Sequence, residues 1–168
     1  MYYYIYKSKI GKLYLVSNGN ALCGCYLENQ NNFPSEILNY KKDDSLKIFN
    51  KATNWLERYF KGEKVENNDI LLEMDGTDFR RNVWNILKGI PYGNTITYKQ
   101  IADTIIKDNN LKSMSYQAVG RAVGCNPLLI FIPCHRVIRS DGNIEGYSAG
   151  NKIKEFLLNL ECNNNPIL

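Results

Sequence analysis

Histidine and long apolar runs are scarce in this sequence. Its 168 residues include a single histidine, His135. No apolar run approaches the roughly 18 residues that a membrane-spanning helix needs. Residues 1–7 lack the basic start and the long apolar stretch of a signal peptide. We therefore expect a cytoplasmic protein without a membrane anchor.

The five cysteines form no pattern that is typical of a disulfide framework. Cys23 and Cys25 are close in sequence, but no second pair follows them. With one histidine in the chain, a zinc site would lack its usual ligands. The sequence therefore predicts reduced thiols and no metal ion.

The net positive charge of the chain comes entirely from its second half. Residues 1–75 contain 10 basic and 10 acidic side chains, whereas residues 76–168 contain 11 basic and 7 acidic ones and account for the net charge of +4. This asymmetry favours a polyanionic partner for the second half. An ordinary solvated surface is the alternative explanation.

The first domain, residues 1–75, has the pattern of a small scaffold. A polar segment over 29–44 predicts a loop, and apolar residues at helical spacing predict a helix over 45–60. Short segments rich in Tyr, Ile, Leu and Val, divided by Gly11 and by the turn 18–20, predict three antiparallel strands: 2–7, 12–17 and 21–27.

The second domain, residues 76–168, is mainly helical in pattern, so the fold class is α+β. Apolar spacing and capping residues predict four helices. The first runs to Lys88 from a cap at Thr77 or Asp78, the second to about Ile106 from a cap at Thr97, and the third over 116–124 from a cap at Ser115. The fourth covers 151 to about 161. The last helix is predicted to bury four apolar residues: Ile153, Phe156, Leu157 and Leu160. Residues 163–166 predict a frayed tail.

The helix predicted over 116–124 is unusually slender. Its residues are small on nearly every side, and Gly120 lies in its interior, where glycine lowers helix stability. A slender helix that carries Arg121 resembles the recognition helix of a helix-turn-helix, although the link before it is longer than usual. Tight packing of this helix against other helices explains the same pattern.

Cys134 and His135 form the candidate reactive centre. Pro133 ends the apolar run 128–132 and places the cysteine on a bend. A nearby imidazole and the guanidinium of Arg136 are expected to favour the reactive thiolate, whereas a buried structural cysteine is the alternative. Neighbouring side chains in an extended segment point in opposite directions, so a water or a bent turn must link the two groups.

Several motifs together resemble the O6-alkylguanine-DNA alkyltransferases, a family of direct-reversal DNA repair proteins. The motifs are Pro133-Cys134-His135-Arg136-Val137, Pro91-Tyr92-Gly93, Thr97-Tyr98 with Ile101-Ala102, Ala118-Val119-Gly120, Asn126-Pro127, Gly146-Tyr147-Ser148 with Gly150, and Glu161. The resemblance is dense over 78–161 and limited to the general layout over 1–75. It implies a ribonuclease H-like layout in the first domain and a winged-helix-like second domain with a helix-turn-helix.

The resemblance implies four catalytic residues. Cys134 is the nucleophile and final alkyl acceptor, and His135 takes its proton through a water. Glu161 holds and polarises His135. Tyr98 donates a hydrogen bond or a proton to the ring as guanine leaves.

The same resemblance implies the residues that bind the base and the DNA. The carbonyls of Cys134 and Val137 read the exocyclic amine of guanine, and the backbone of Ser148 contacts O6. Tyr147 walls the alkyl pocket, and Asn126 braces the active-site turn. The DNA-contacting residues are Gln117, Ala118, Gly120, Arg121 and Arg136, of which Arg136 has either a structural or a phosphate-facing role.

By this resemblance the protein acts once, as a monomer, on double-stranded DNA that contains O6-alkylguanine, and O4-alkylthymine is left open as a second substrate. It flips the damaged nucleotide through the minor groove and needs no metal or organic cofactor. Gln117 departs from the family, which often has an intercalating arginine at this position. Glutamine lacks the charge and the stacking plane of arginine, so we expect weaker DNA binding.

Three other functions fit parts of the sequence. A relative that binds alkylated DNA without repairing it usually has the cysteine replaced, whereas Cys134 is present. A cysteine hydrolase needs a separated Cys and His, an orienting residue and an oxyanion hole. A plain helix-turn-helix module binds undamaged DNA without using Cys134.

Overall fold

The computed structural model describes residues 1–162, so the tail predicted over 163–166 lies outside the described residues. The chain divides into two compact units. The first consists of Met1–Asp75 together with Pro127–Phe131, and the second of Gly76–Asn126 with the chain from Ile132 onward. A short segment from the second half of the sequence is therefore part of the first unit.

The first unit contains a four-stranded sheet. Its strands are β1 (Tyr2–Ser8), β2 (Gly11–Ser17), β3 (Leu22–Leu27) and β4 (Lys41–Lys42), in the order β3-β2-β1-β4. The three predicted strands are confirmed, and they form two antiparallel hairpins. β4 pairs in parallel with β1 and was not predicted, because a strand of two residues is too short to show an alternating pattern.

One amphipathic helix, α1 (Lys47–Phe60), belongs to the same unit. It begins two residues after the predicted start and buries a stripe of seven side chains: Ile48, Phe49, Ala52, Trp55, Leu56, Tyr59 and Phe60. The ring of Trp55 lies 4.6 Å from that of Phe131. Asn67 donates to the Phe131 carbonyl at 2.8 Å, and the amide of Leu129 donates to the carbonyl of Cys25 at 3.0 Å. These contacts fix segment 127–131 in the first unit.

The second unit contains four helices, α2 (Asp78–Lys88), α3 (Tyr98–Asp108), α4 (Tyr116–Gly124) and α5 (Asn151–Cys162). The predicted caps are confirmed at three of them. Thr77, Thr97 and Ser115 each accept a hydrogen bond from a backbone amide in the first helical turn. Two short parallel strands, β5 (Ile96–Thr97) and β6 (Val137–Ile138), also pair in this unit and were not predicted.

Helices α2, α3 and α4 pack on one another, with Val83, Leu87, Ile101 and Val119 fully buried. The indole of Trp84 donates to the carbonyl of Ala122 at 2.9 Å, deep in this core. α4 therefore has two faces. Val119, Ala122 and Val123 point into the core, while Gln117 and Arg121 are exposed. Tight packing therefore explains the small residues on the buried face, and the role of a recognition helix stays a prediction for the exposed face.

Within residues 1–162, none of the helices is both long and apolar enough to cross a membrane.

Candidate active site

Cys134 lies on a tight turn that begins at Pro133. The turn continues as a short 3-10 helix, Cys134–Arg136, which leads directly into β6. The Cys134 amide donates to the Ile132 carbonyl at 2.8 Å. The side-chain amide of Asn126 donates both to that carbonyl, at 2.8 Å, and to Sγ of Cys134, at 3.0 Å. Asn126 thus holds the turn and the sulfur together.

The Cys134 thiol is buried, with 3% of the residue exposed. Burial raises its pKa, and hydrogen bonds from Asn126 and Tyr147 and the charge of Lys154 act against this rise without reversing it. The adjacent imidazole and Arg136 were expected to favour the reactive thiolate, but the side chains that lower this pKa are Asn126, Tyr147 and Lys154. Loss of solvation penalises the anion more than these groups stabilise it, so the resting thiol holds its proton.

Glu161 is the centre of a buried network of charges. Its carboxylate accepts hydrogen bonds from His135 Nε2 at 2.7 Å and from Arg136 Nε and Nη2 at 2.8 and 3.0 Å. The backbone amide of Gly93 donates to it at 3.0 Å. Burial alone would raise the pKa of Glu161, but His135 and Arg136 outweigh burial and hold this pKa well below its usual range. The acid at the end of α5 therefore has a local reason to be there.

Gly93 explains why the Pro91-Tyr92-Gly93 motif belongs to this site. Its φ of +76° lies in the left-handed region, which glycine adopts without strain. The residue in this conformation is the one whose backbone amide donates to the carboxylate of Glu161.

His135 is fully buried, and burial lowers its pKa although Glu161 acts in the opposite direction. Since the ionised carboxylate of Glu161 can only accept a hydrogen bond, Nε2 of the ring carries the proton. The lone pair of the neutral ring is then on Nδ1. Such a ring can receive a proton from a donor on that side.

Arg136 is buried within its unit. Only 8% of the residue is exposed, and its guanidinium is committed to Glu161 and to the carbonyl of Ile90, at 2.6 Å. It also lies over the ring of Tyr92, at 5.6 Å from the centroid. Of the two roles expected for Arg136, these contacts support the structural one rather than the phosphate-facing one.

Lys154 is a site residue that was missed in the sequence. It is 1% exposed, and its Nζ donates to the carbonyl of Val137 at 2.6 Å. Burial lowers its pKa to about 8, against the opposing effect of Cys134. A lysine in an amphipathic helix is normally assigned to the solvent side, so a sequence pattern gives no signal for it.

The buried face of α5 differs from its predicted face. Its buried residues are Lys154, Leu157 and Glu161, whereas Phe156 is 37% exposed. Ile153 and Leu160 are half-buried. The helix turns Lys154 and Glu161 inward because each finds buried hydrogen-bond partners, which an apolar stripe does not anticipate.

Tyr98 and the start of α4 line an open cavity of about 660 Å³. Burial raises the pKa of the Tyr98 hydroxyl, Cys134 adds to this rise when it is ionised, and Arg139 acts in the opposite direction. The other lining residues include two cations and two acids: Lys99, Tyr116, Gln117, Gly120, Arg139, Ser140, Asp141, Glu145 and Gly146. Lys99, Tyr116 and Arg139 were not predicted.

The remaining predicted residues are spread around this centre. Tyr147 is buried and Ser148 is half-buried. Gln117 and Arg121 are exposed, whereas Ala118 and Gly120 are half-buried. Within residues 1–162, no group of three or more His, Cys, Asp or Glu side chains is arranged to hold a metal ion.

Two family models together match almost the whole chain. The ribonuclease-like domain of 6-O-methylguanine DNA methyltransferase matches residues 1–74, and the DNA-binding domain of the same family matches residues 78–163.

Curated relatives and solved structures agree with these models. A methylated-DNA–protein-cysteine methyltransferase of Methanosarcina barkeri is 45% identical over 98% of this chain and 99% of its own length. One from Haemophilus influenzae is 37% identical over 96% of this chain and 86% of its own length. The crystal structure of Mycobacterium tuberculosis OGT in complex with DNA has a TM-score of 0.85 at 36% identity, covering 99% of this chain and 96% of that one. The chain therefore belongs to the 6-O-methylguanine DNA methyltransferase family.

Proposed function

We propose that this protein repairs DNA by direct reversal, moving the alkyl group of O6-alkylguanine to Sγ of Cys134. The observation that carries the proposal is the buried Cys134 thiol next in sequence to the buried His135, whose ring is bound by Glu161. Membership of the family supports the same activity, that of a methylated-DNA–protein-cysteine methyltransferase. A thioether is not readily hydrolysed, so each molecule acts once.

In the proposed reaction, the bond between Sγ and the alkyl carbon forms as the bond between that carbon and O6 breaks. The thiol proton passes through a water to Nδ1 of His135, and the ionised Glu161 stabilises the resulting imidazolium. Tyr98 protonates the leaving guanine, and its raised pKa keeps that proton in place beforehand. The proton on His135 then returns to the tyrosinate through solvent, which leaves neutral guanine and a neutral thioether.

Recognition of the base is assigned to groups around the same turn. The carbonyls of Cys134 and Val137 accept from the exocyclic amine, and the backbone of Ser148 contacts O6. The Val137 carbonyl already accepts from Lys154, but a carbonyl oxygen has a second lone pair. Tyr147 walls the alkyl pocket, and Asn126 braces the turn through its two hydrogen bonds.

The proposed DNA contact is the exposed side of α4. The target atom is hidden in the base stack, so the nucleotide is flipped out, at a cost of a few kcal/mol. Gln117, Gly120 and Arg121 meet the minor groove, with Ala118 at the edge of this surface. The cavity beside Tyr98 accepts the DNA next to the flipped nucleotide, and its cations Lys99 and Arg139 are suited to phosphate contact. We further propose that the protein acts as a monomer.

Intact mass measurement tests this function. The purified protein is mixed with a short duplex that contains one O6-methylguanine. We expect the mass of the protein to rise by one methyl group, mapped to Cys134 by peptide analysis, and we expect no rise in Cys134→Ser. A duplex that stays bound while the mass stays unchanged would contradict repair and indicate a lesion-binding protein.

A further inference from the structure

Tyr116 is a large aromatic side chain left in solvent at the first position of α4. It is 54% exposed, although the core of this unit buries aromatic residues such as Trp84 and Tyr92. Two other large apolar residues of the unit, Leu111 and Phe156, are exposed as well, but neither lines the cavity beside Tyr98. Tyr116 combines exposure with a position on the wall of that cavity.

The position of Tyr116 is held firmly by the helix start. The Ser115 hydroxyl accepts from the Ala118 amide at 3.3 Å, which caps the first turn. Gln117, the next residue, is also exposed and lines the same cavity. Gly120 lies one turn further on, and a Cβ there would lie 4.0 Å from the Tyr98 ring. Gly120 therefore places no side chain against the Tyr98 ring.

A flipped nucleotide leaves a gap in the base stack that must be filled for the extruded state to persist. Gln117 can donate and accept hydrogen bonds, but its small amide has neither the charge nor the stacking plane of an arginine. An aromatic ring stacks on any base, whatever its identity, because every base has a π-face. Tyr116 therefore supplies the stacking plane that Gln117 lacks, one residue away on the same helix turn.

We propose that Tyr116 stacks on a nucleobase of the target duplex beside the flipped nucleotide, while Gln117 hydrogen-bonds in the gap. This inference rests on the proposed function. Stacking by a neutral ring releases no counterions, whereas a phosphate contact does. Tyr116 should therefore strengthen duplex binding equally at every salt concentration.

The test uses the full chain and three variants, Tyr116→Ala, Tyr116→Leu and Tyr116→Phe, with Leu111→Ala as the control at an exposed apolar residue away from the cavity. The rate of methyl transfer is measured with duplex O6-methylguanine and with O6-methylguanine as a free base. Duplex affinity is measured against salt concentration in a Cys134→Ser background.

We expect Tyr116→Ala and Tyr116→Leu to lower duplex affinity and duplex transfer rate by roughly 5- to 150-fold, the range for loss of one base–aromatic stack. Tyr116→Phe should stay within about twofold of the wild type because it retains the ring. The free-base rate should not change in any of these variants. In a plot of log affinity against log salt, the Tyr116→Ala line should be displaced downward with an unchanged slope.

Three results would overturn the inference. An unchanged rate of methyl transfer from the duplex in Tyr116→Ala would exclude stacking. Wild-type behaviour of Tyr116→Leu would show that apolar contact, and not stacking, accounts for the contribution of Tyr116. An equal loss with the free base would make Tyr116 part of the alkyl pocket instead. Failure of the proposed function has a different signature, because the wild-type protein itself would then transfer no methyl group from either substrate.

Discussion

Burial favours the protonated form of the Cys134 thiol, although the reaction requires the thiolate. Burial raises its pKa, and the opposing influences come from Asn126, Tyr147 and Lys154. The adjacent Arg136 is not one of these groups, because its guanidinium is paired with the carboxylate of Glu161. A buried thiol that ionises only when a base accepts its proton is protected from oxidation and unwanted alkylation.

Replacing Lys154 by methionine should slow alkyl transfer. The variant removes a buried positive charge that favours the Cys134 thiolate, and a change of one unit in the thiol pKa corresponds to about tenfold in thiolate population. We expect a fall on the order of tenfold in the free-base transfer rate at pH 7. The difference should narrow above pH 8, because Lys154 has a pKa of about 8 and loses its own charge there.

The control for this prediction is Lys152→Met, on the exposed side of the same helix. It should transfer at the wild-type rate. Equal rates for wild type and Lys154→Met across pH 6–9 would show that Lys154 does not influence the thiol.

His135 makes the free energy of unfolding depend on pH. Because it is the single histidine of the chain, a substitution at this one position tests the effect. Burial lowers its pKa in the folded state, so on acidification the unfolded chain takes up a proton that the folded protein refuses. Stability from this residue is therefore present above the unfolded pKa of about 6.5 and is lost below it, by at most about 1.4 kcal/mol per pH unit.

Urea unfolding at pH 7.5 and pH 5.5 checks this prediction. The wild-type protein should lose more stability between these two values than His135→Gln does. A wild type that gains stability on acidification would show that the folded state binds the proton, as an imidazolium paired with Glu161.

At the scale of elements, α5 connects the reactive turn to the rest of its unit. Lys154 reaches the carbonyl at the start of β6, and Glu161 binds the 3-10 turn and the Gly93 amide. These residues lie two helical turns apart on one face. The helix thus holds the reactive turn through charged contacts rather than through an apolar stripe.

Glu161→Gln should destabilise the protein strongly. It leaves the guanidinium of Arg136 buried without a countercharge, which typically costs about 3–5 kcal/mol. Glu155→Gln, on the exposed side of α5, is the matched control and should change the free energy of unfolding by less than about 0.5 kcal/mol. Urea unfolding at pH 7 measures both.

The double variant Glu161→Gln with Arg136→Met separates charge burial from packing. It should recover part of the lost stability, because no unpaired charge then remains. If Glu161→Gln alone were as stable as the wild type, the network would not contribute to folding.

Helix α4 contains Gln117 at the position where the family often has an arginine. The substitution Gln117→Arg should therefore strengthen DNA binding. An arginine here adds one positive charge and a planar stacking surface on the exposed face. We expect tighter binding to duplex DNA at low salt and a salt slope steeper by about 0.9, the value for one additional phosphate contact. Titrations of labelled duplex at several salt concentrations check this, and unchanged affinity throughout would contradict it.

At the scale of the whole molecule, charge is divided unequally between the two halves of the sequence. The net charge of residues 1–75 is zero, and residues 76–168 carry the net charge of +4. The reactive turn and the exposed face of α4 both belong to the unit that contains most of the charged half. Duplex binding should therefore weaken with salt, and the first unit should contribute little to this dependence.

Arg139→Gln tests this distribution of charge. Removing one phosphate contact should reduce the slope of log affinity against log salt by about 0.9. Lys47→Gln removes an exposed charge from α1 in the first unit and should leave the slope unchanged. Equal slopes for Arg139→Gln and the wild type would remove Arg139 from the proposed DNA contact.

Sequence patterns predicted the local structure well and the short pairings poorly. The hairpins and the capped helices depend on residues within one turn or one strand of each other, such as Thr97 and Gln100 in the capping box. β4, β5 and β6 have two residues each and exist only because a distant partner strand lies alongside. The segment Pro127–Phe131 likewise belongs to the first unit through contacts that are far apart in sequence.

What the sequence determined by itself was the chemistry: a lone histidine beside a cysteine after proline, a slender helix, and motifs whose combination indicates the family. These depend on residue types and short spacings. The tertiary structure alone decided the protonation of Cys134, the commitment of Arg136 to Glu161, and the inward position of Lys154. The physical reason is that desolvation and long-range ion pairing depend on every group packed around a side chain, and most of those groups are distant along the chain.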